Sequence, residues 1–340
     1  MKSISITAER NYTVNFTDDW RQALTEITRD RDVLILAPAS LDSSLKNLPR
    51  SFHILHLPDG EEQKSAGNFI RTLEQIADMK FPRSGILVGI GGGATTDLVG
   101  YLAASYLRGI DWVALPTSLA GMVDAAIGGK TGINLAAGKN LAGAFYSPQG
   151  VIVDESFLTT LSDRDLRAGM AEVAKCGFIR DPKILTLITA GWRENLSELI
   201  YRSIAVKAEV VSQDFKESFH REILNYGHTL GHAIERDSRY SLRHGECVAI
   251  GLNFAAELSS RFSGLSSDGL QLHREVLRSL GLPMEYEKGA WQRLYEFMQS
   301  DKKKKDSIRF VTLSRIGEPT RLENIAESQL KKVYEEVVGR

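Results

Sequence analysis

Three histidines and one glutamate have residue types and positions that suit a metal site. His228 and His232 are four residues apart in a predicted helix and therefore lie on one face of it. His244 begins another predicted helix, and Glu172 lies in an earlier one. Imidazole and carboxylate ligands suit zinc, and three protein ligands leave a coordination position for substrate. The four residues together predict a metal site, but their spacing does not decide which of them is not a ligand.

A glycine run follows a predicted buried strand. Gly91, Gly92 and Gly93 come directly after Ile86–Ile90, and Asp97 lies in the predicted helix that follows. Glycines allow a pyrophosphate to approach the backbone closely, and a helix N-terminus offers free amides and a favourable dipole. The run departs from the GxGxxG fingerprint and also fits a tight strand-to-helix turn. We interpret it as one part of a dinucleotide site.

A second glycine-rich stretch carries cations and an amide. Lys130, Lys139 and Asn140 could bind phosphate and carboxylate oxygens. Asp124 would repel a phosphate, so a hydroxyl group or a cofactor ribose is its more plausible partner. The alternative interpretation is a mobile surface loop with solvated lysines. We favour binding because functional residues concentrate on such loops.

Two cysteines and a lysine run allow weaker interpretations. Cys176 follows Glu172 by one helical turn and Cys247 follows His244 similarly, so both could face a metal. We favour small buried residues at helix contacts. The run Lys302–Lys305 is usually a solvated turn, although it could join an anion pocket. The other cations of that pocket would be Lys175, Lys207 and Arg221.

Alternating elements in the first half must position the glycine-rich motifs. Short apolar runs alternate with helical patterns, which is typical of a parallel sheet covered by helices. An N-terminal hairpin, Ser3–Thr7 with Tyr12–Phe16, is also predicted. The predicted strands are Val33–Ala37, Phe52–Leu55, Ile86–Ile90 and Trp112–Leu115, and the predicted helices are Ser65–Met79 and Thr95–Leu107.

Long helical patterns in the second half must position the histidines and Glu172. One predicted strand, Ile308–Leu313, interrupts them. We therefore predict an α/β nucleotide-binding domain at residues 1–155 and a mainly helical domain at 156–340. The predicted helices are Asp163–Phe178, Asn195–Phe215, Arg221–Arg236, His244–Phe262 and Glu327–Val338.

Charge and composition exclude several classes of protein. The 43 acidic and 42 basic residues nearly cancel, which argues against a general nucleic-acid binder or membrane-surface binder. No long apolar run predicts a membrane span, and the first residues lack the pattern of a signal peptide. Two cysteines without a CxxC pair argue against a disulfide framework. We therefore expect a cytoplasmic protein.

These motifs together resemble the 3-dehydroquinate synthases, a branch of the sugar phosphate cyclase family, from about Gly60 to Leu313. The resemblance implies a Rossmann-like N-terminal domain, a helical C-terminal domain, NAD, zinc or cobalt, and a homodimer. The motifs that carry it are Gly91–Gly93 with Asp97, Tyr106–Gly109, Asp124–Gly132, Gly138–Leu141, Gly143–Phe145, Glu172 with Lys175, Lys207, Arg221 with Asn225, His228 with His232, and His244–Glu246.

The resemblance also implies a role for each matching residue. The metal ligands would be Glu172, His228 and His244, and His232 would face the substrate phosphate. Arg108 would reach the phosphate in the partner subunit, and Lys302 or Lys303 would close the pocket. The other substrate contacts would be Asp124, Lys130, Lys139, Asn140, Lys175, Lys207, Arg221 and Asn225. The NAD contacts would be Glu61, Lys64, Gly92, Gly93, Asp97, Thr117, Ser118, Thr160 and Leu161.

The implied reaction converts 3-deoxy-D-arabino-heptulosonate 7-phosphate to 3-dehydroquinate and phosphate. It proceeds by transient oxidation with NAD, phosphate elimination, re-reduction, ring opening and an internal aldol closure. One departure concerns NAD: many family members carry Asp and Asn after the second strand of the parallel sheet to hold the adenosine ribose. Here Leu36–Ser40 offers neither.

Three rival functions remain open. Another sugar phosphate cyclase would commonly differ at the positions of Asn225 and His232, both of which are retained here. A metal-dependent alcohol dehydrogenase of similar fold would need no dense phosphate cradle and would produce net NADH. A catalytically silent sugar-phosphate binding protein would have no need for the full set of Glu172, His228 and His244.

Overall fold

The computed structural model describes residues 2–215, 220–300 and 308–340. The chain forms two compact units. The first comprises 1–161 together with 207–216, and the second comprises 162–206 together with 217–340. The first unit therefore extends beyond the predicted boundary at 155 and includes a segment from later in the chain. Among the described helices, none has the length and apolar character needed to cross a membrane.

The first unit is built on a seven-stranded sheet. Its strands are β1 Ser3–Ile6, β2 Tyr12–Thr17, β3 Val33–Pro38, β4 Phe52–Leu57, β5 Ile86–Gly91, β6 Asp111–Pro116 and β9 Gly150–Asp154, and the helices of the unit are α1 Trp20–Thr28, α2 Ala66–Asp78 and α3 Gly93–Ser105. The strand order in the sheet is β1-β2-β9-β6-β5-β3-β4, and every pairing except that of β1 with β2 is parallel.

The strand composition explains this sheet. All residues of β3 and β5 are buried, because strands in the middle of a parallel sheet are covered on both faces and are apolar throughout. The antiparallel pairing of β1 with β2 confirms the predicted N-terminal hairpin. The Rossmann-like parallel sheet is likewise confirmed.

The second glycine-rich stretch is a hairpin rather than a loop. Strands β7 Lys130–Leu135 and β8 Gly138–Phe145 pair antiparallel and form a separate two-stranded sheet. The strands approach closely because Gly143 has no side chain: a Cβ there would lie 2.0 Å from the Thr131 carbonyl oxygen. The expectation of a loop was wrong, since the glycines allow two strands to pack closely.

The second unit is mainly helical, as predicted. Helix α6 begins in this unit, and its last residues belong to the first unit. The elements are α4 Asp163–Ile179, α5 Pro182–Gly191, α6 Leu196–Gln213, α7 His228–Asp237, α8 His244–Phe262, α9 Ser267–Ser279, α10 Trp291–Ser300, α11 Glu327–Val337, and the antiparallel strands β10 Phe310–Arg315 and β11 Glu318–Leu322.

The prediction of one continuous helix over Arg221–Arg236 was wrong. A 3₁₀ helix, His220–Asn225, is followed by Gly227 in the left-handed region at φ 78°, and α7 begins only at His228. A Cβ on Gly251 of α8 would lie 1.9 Å from the Gly227 carbonyl oxygen. The glycines therefore break the helix and bring its second part against α8.

Close helix crossings at glycines position the residues of the predicted metal site. A Cβ on Gly245 in α8 would lie 1.8 Å from the Ala168 carbonyl oxygen in α4. The far side of α8 packs into a buried cluster with α7, α10, α11 and β10. This cluster includes Leu230, Ile234, Cys247, Phe254, Leu258, Trp291, Leu294, Phe310 and Tyr334.

Candidate active site

Three side chains from three helices converge in the second unit. Glu172 of α4 directs its Oε1 at the Nε2 of His228, 3.4 Å away, and at the Nε2 of His244, 3.2 Å away. Glu172 and His228 are buried, whereas the side chain of His244 is 38% exposed. The first residue of α7 and the first residue of α8 thus meet the buried carboxylate of α4, and the cluster keeps one open side.

The donor set fits a divalent ion. Two donor atoms bound to one ion at about 2.1 Å and at a tetrahedral angle would be about 3.4 Å apart. The two distances from Glu172 Oε1 are close to this separation. The three ligand atoms all lie within 4.8 Å of one another. A carboxylate and two imidazoles are also the ligand types that zinc and cobalt accept.

Electrostatics keep the carboxylate of Glu172 ionised. Burial opposes its charge, but the Lys175 ammonium, 2.5 Å from Oε2, and the two imidazoles lower the pKa of Glu172 well below its usual range. Burial also opposes a charge on His244, but hydrogen bonds to Glu172 and Glu235 raise the pKa of His244 to about 10. A bound cation would therefore replace a proton in this cluster.

His232 lies beside this cluster but not within the group formed around Glu172. Its ring centroid is 5.2 Å from that of His228 and 5.9 Å from that of His244. His232 instead shares a second group with Glu235 and His244, in which the possible ligand atoms lie within 4.8 Å of one another. The sequence spacing of the four residues did not show which of them lies outside the group around Glu172. The way in which the helices cross separates His232 from that group.

Sequence reasoning missed Glu235. Its carboxylate Oε2 accepts a hydrogen bond from the Nδ1 of His244 at 3.2 Å. Glu235 follows His228 by seven residues and His232 by three in α7, so all three lie on one helical face. This helical periodicity was the available signal.

Both cysteines are buried thiols outside any disulfide, and they take part in packing. The Cys176 thiol donates to the Ser203 carbonyl oxygen at 3.9 Å, and Cys247 belongs to the hydrophobic cluster behind α8. Neither is in the groups of possible metal ligands among the described residues. Helix packing is therefore the interpretation that the structure supports.

Two further predicted substrate residues lie in the 3₁₀ helix that precedes α7. Arg221 is almost fully buried, and Asn225 ends that helix three residues before His228. A buried guanidinium is costly unless it serves a partner or an anion, which suits a phosphate-binding role. Lys302 and Lys303 lie outside the described residues.

The glycine turn of the first unit has the predicted strand–turn–helix form. Gly92 immediately precedes α3, and Thr117 donates its backbone amide to the Gly91 carbonyl oxygen at 2.8 Å. A Cβ on Gly91 would lie 2.2 Å from Thr95 Oγ1. These glycines therefore keep the N-terminus of α3 close to the end of β5, where free amides can face an anion.

A buried lysine links the predicted NAD and substrate residues of the first unit. Lys64 donates to Asp97 Oδ2 at 2.6 Å and to the side-chain oxygen of Asn140. Burial raises the pKa of Asp97, and the Lys64 ammonium works against this rise. Lys139 lies 3.5 Å from the carboxylate of Glu61. The structure therefore brings these residues together.

Asn134 is a second residue that sequence reasoning missed. Its amide donates to Glu61 Oε1 at 2.8 Å, and its side-chain oxygen accepts from the backbone amide of Asn140 at 3.0 Å. Asn134 thereby fixes the turn of the β7–β8 hairpin, which carries Lys139 and Asn140, against the segment that contains Glu61. No spacing rule marks this residue, because the contact depends on how the hairpin folds back.

Asp124 and Lys207 form an ion pair within the first unit, although they are distant in sequence. The Lys207 ammonium also donates to the Asp124 backbone carbonyl oxygen at 2.6 Å. Lys130 is the first residue of β7 and is exposed. Asp124 therefore has a cationic partner, which removes much of the repulsion that a bare carboxylate would exert on an anionic substrate.

The remaining predicted residues lie on turns of the first unit. Thr160 ends a 3₁₀ helix and donates its hydroxyl to the Phe157 carbonyl oxygen, and Leu161 directly follows that helix. Ser118 Oγ accepts from the Gly121 backbone amide at 3.2 Å. Arg108 is exposed and has a left-handed backbone at φ 63°, directly before Gly109.

Solved structures with this fold include sugar phosphate cyclases and, with a lower TM-score of 0.65 at 15% identity, an iron-containing alcohol dehydrogenase from Corynebacterium glutamicum that covers 99% of this chain and 96% of that one. A 2-deoxy-scyllo-inosose synthase in complex with carbaglucose-6-phosphate, NAD⁺ and Co²⁺ superposes with a TM-score of 0.85 at 24% identity, covering 99% of this chain and 100% of that one. The 2-epi-5-epi-valiolone synthase of Streptomyces hygroscopicus, with NAD⁺ and Zn²⁺ bound, gives 0.88 at 23% identity, covering 97% of each chain. At these identities the likeness establishes the fold alone.

Sequence comparison goes further than the fold. The family model for the N-terminal part of 3-dehydroquinate synthase matches residues 54–168, and the model for its C-terminal part matches 169–304. A 3-dehydroquinate synthase of Pseudarthrobacter chlorophenolicus is 46% identical over 326 residues, covering 92% of this chain and 90% of the relative. The chain therefore belongs to the 3-dehydroquinate synthase family.

Proposed function

We propose that this chain catalyses the reaction of its family, the conversion of 3-deoxy-D-arabino-heptulosonate 7-phosphate to 3-dehydroquinate and phosphate. The observation that carries the proposal is the convergence of Glu172, His228 and His244 on one point, with spacings that fit a divalent ion. Family membership supplies the substrate, and the cluster supplies the chemistry that the substrate requires.

Two groups would be held by residues described above. Glu172, His228 and His244 would hold Zn²⁺ or Co²⁺, and the turn at Gly92 and Gly93 with Asp97 would hold NAD. When bound, the ion polarises a substrate hydroxyl oxygen, and NAD takes up and later returns a hydride. The net redox change of the reaction is therefore zero.

The side chains of the protein have separate tasks in this scheme. Lys175 balances the charge of Glu172, which allows the carboxylate to remain ionised while buried. Arg221 and His232 would bind the phosphate, whose departure needs compensation for the developing charge. The pair of Asp124 and Lys207 would orient substrate hydroxyl groups, since it offers an acceptor and a donor side by side.

The proposal extends to the setting of the enzyme. Cys176 and Cys247 form no disulfide, which suits a reducing cytoplasm. We further propose a homodimer in which Arg108 acts on the site of the partner subunit. The exposed position of Arg108, on a turn with a left-handed backbone, leaves its guanidinium accessible to another chain.

Another sugar phosphate cyclase is the second candidate function. The fold shared with inosose and valiolone synthases favours it, because the inosose synthase is solved in complex with the phosphorylated compound carbaglucose-6-phosphate. Retention of Asn225 and His232 favours the dehydroquinate reaction. An alcohol dehydrogenase would differ in its redox balance, because it would accumulate NADH.

The test follows both products and the redox balance. Zinc-loaded protein would be incubated with 3-deoxy-D-arabino-heptulosonate 7-phosphate and catalytic NAD, and phosphate and 3-dehydroquinate would be measured together. We expect equal amounts of both, no accumulation of NADH, and loss of activity by at least about 100-fold in Glu172→Ala. No phosphate release by protein that binds metal and NAD would refute the assignment.

A further inference from the structure

The far ring nitrogen of each imidazole in the Glu172 cluster has a fixed acceptor. His228 directs Nε2 at Glu172 and donates from Nδ1 to the Tyr226 backbone carbonyl oxygen at 3.1 Å. His244 directs Nε2 at Glu172 and donates from Nδ1 to the Glu235 carboxylate at 3.2 Å. A nitrogen that binds a metal must be unprotonated, so the ring proton must sit on Nδ1 in both residues.

The two imidazoles differ in how firmly packing holds them. The side chain of His228 is 9% exposed, whereas that of His244 is 38% exposed. Packing alone can therefore fix His228, but His244 needs a specific bond to hold its ring.

Glu235 is placed to accept that hydrogen bond. Its side chain is only 11% exposed, and it lies on the face of α7 that carries His228. A buried carboxylate is stable only when a donor or a cation satisfies it. The hydrogen bond to His244 therefore serves both residues, and it connects α7 to the N-terminus of α8.

We propose that Glu235 is a positioning residue for His244, which fixes the Nδ1–H tautomer and aims Nε2 at the ion held with Glu172 and His228. The inference rests on the divalent-ion site of the proposed function. A carboxylate behind a ligating imidazole also increases the basicity of that ligand, and loss of such a partner typically weakens metal binding by about 10–100-fold.

The geometry also offers a competing role for Glu235. His232, Glu235 and His244 have possible ligand atoms within 4.8 Å of one another, so Glu235 could itself bind a second ion. The hydrogen bond from Nδ1 of His244 to Glu235 favours positioning, because a second ion would have to displace the proton that makes this bond. The number of ions bound distinguishes the two roles.

The test measures Zn²⁺ affinity and stoichiometry without substrate. Metal-free protein would be titrated with Zn²⁺ against a chromophoric chelator, and bound zinc would be counted by elemental analysis. We expect one ion per chain, a Kd raised about 10–100-fold in Glu235→Ala, and a smaller rise in Glu235→Gln, whose amide oxygen still accepts from Nδ1. The visible spectrum of Co²⁺-loaded protein should change in Glu235→Ala.

The matched control is Glu257→Gln. Glu257 is another buried glutamate, on α8, but it pairs with Arg261 and Arg274. This variant should bind Zn²⁺ with the Kd of the unmodified protein. Thermal unfolding of the metal-free variants would show that each is folded, and Glu235→Gln keeps the test decisive if Glu235→Ala does not fold.

Two results would overturn the inference. One is an unchanged Kd in folded Glu235→Ala or Glu235→Gln. The other is binding of two ions by the unmodified chain and of only one by Glu235→Ala, which would make Glu235 a ligand. Failure of the proposed function would look different: Zn²⁺ binding would depend on Glu172 and Glu235 as expected, but the sugar-acid phosphate would not be turned over.

Discussion

At the residue scale, the buried polar groups of the second unit are stabilised by specific partners. Glu172 has Lys175 and two imidazoles, and His273 of α9 has a complete set of neutral partners. The ring of His273 stacks on Phe178 with centroids 3.7 Å apart, donates from Nδ1 to the Gly269 carbonyl oxygen and accepts at Nε2 from the Tyr226 hydroxyl. Tyr226, two residues before His228, is therefore hydrogen-bonded to a neutral imidazole.

His273 gives a prediction for stability against pH. Burial lowers the pKa of His273 to about 4, although the bond to Gly269 works in the opposite direction. An unfolded histidine takes up its proton near pH 6.5, so the unfolded state binds more protons than the folded state between these values. The stabilising contribution is complete above about pH 6.5 and is lost as the pH falls towards 4, by about 3 kcal/mol.

Urea unfolding at a series of pH values would measure this effect, with His273→Gln as the comparison. The free energy of unfolding of the unmodified protein should fall more steeply between pH 6.5 and 4 than that of the variant. Parallel curves for the two proteins would contradict the prediction. The other titrating groups are common to both proteins and cancel in the difference.

At the element scale, glycines decide where the helices can cross. Gly245 brings α8 against α4, and Gly251 brings α8 against the turn at Gly227 that begins α7. His228 and His244 begin α7 and α8, and Glu172 lies in the middle of α4, so small shifts of a crossing would separate their donor atoms. The close approach of the backbones is therefore a requirement of the metal geometry as well as of packing.

Gly251→Ala tests this requirement. The added Cβ would lie 1.9 Å from the Gly227 carbonyl oxygen, so α7 and α8 must move apart. We expect a loss of about 1–3 kcal/mol in the free energy of unfolding, together with weaker Zn²⁺ binding because His228 is displaced. Urea unfolding and Zn²⁺ titration would measure the two effects.

Gly67→Ala in α2 is the matched control. Apart from its chain neighbours and the backbone of its own helix, no described atom lies within 4 Å of the position of its Cβ, and the backbone is helical. This variant should keep or slightly increase the stability of the protein, since alanine favours helix more than glycine does. Equal behaviour of the two variants would show that the α7–α8 crossing has no special requirement.

At the scale of the whole molecule, the proposed homodimer makes Arg108 testable in trans. Arg108→Ala and Glu172→Ala would be co-expressed with different tags and the mixed dimer purified. One of its two sites would combine Glu172 of one subunit with Arg108 of the other, so we expect about half of the unmodified activity. Each variant alone should be nearly inactive. Inactivity of the mixed dimer would show that Arg108 acts within its own chain, and full activity of Arg108→Ala alone would show that Arg108 has no role.

Much of the fold was predictable from the sequence, because local periodicity is carried by neighbouring residues. Helix α8 has the predicted bounds, and the predicted strands correspond to β3, β4, β5 and β6 within two residues at each end. Predictions failed where a glycine allowed close backbone contact with a distant segment. The hairpin of β7 and β8 and the break at Gly227 are both of this kind.

The residue types of the candidate site were equally visible in the sequence. Two histidines on one helical face, a third histidine and a glutamate predicted a metal site, and the glycine run after β5 predicted a dinucleotide turn. These inferences needed only the chemistry of side chains and the period of a helix. The sequence by itself therefore determined the class of fold, the kind of chemistry and the resemblance to a family.

Only the tertiary structure decided how these residues group. It brings Glu172 Oε1 close to His228 and His244 and places His232 in a second group with Glu235 and His244. It also shows that Glu235 accepts a hydrogen bond from the Nδ1 of His244. It also shows Asn134 holding the β7–β8 turn. The physical reason is that contacts between distant segments depend on helix crossings and hairpin geometry, and these arise from packing over the whole unit. Such contacts have no signature in the spacing of residues along the sequence.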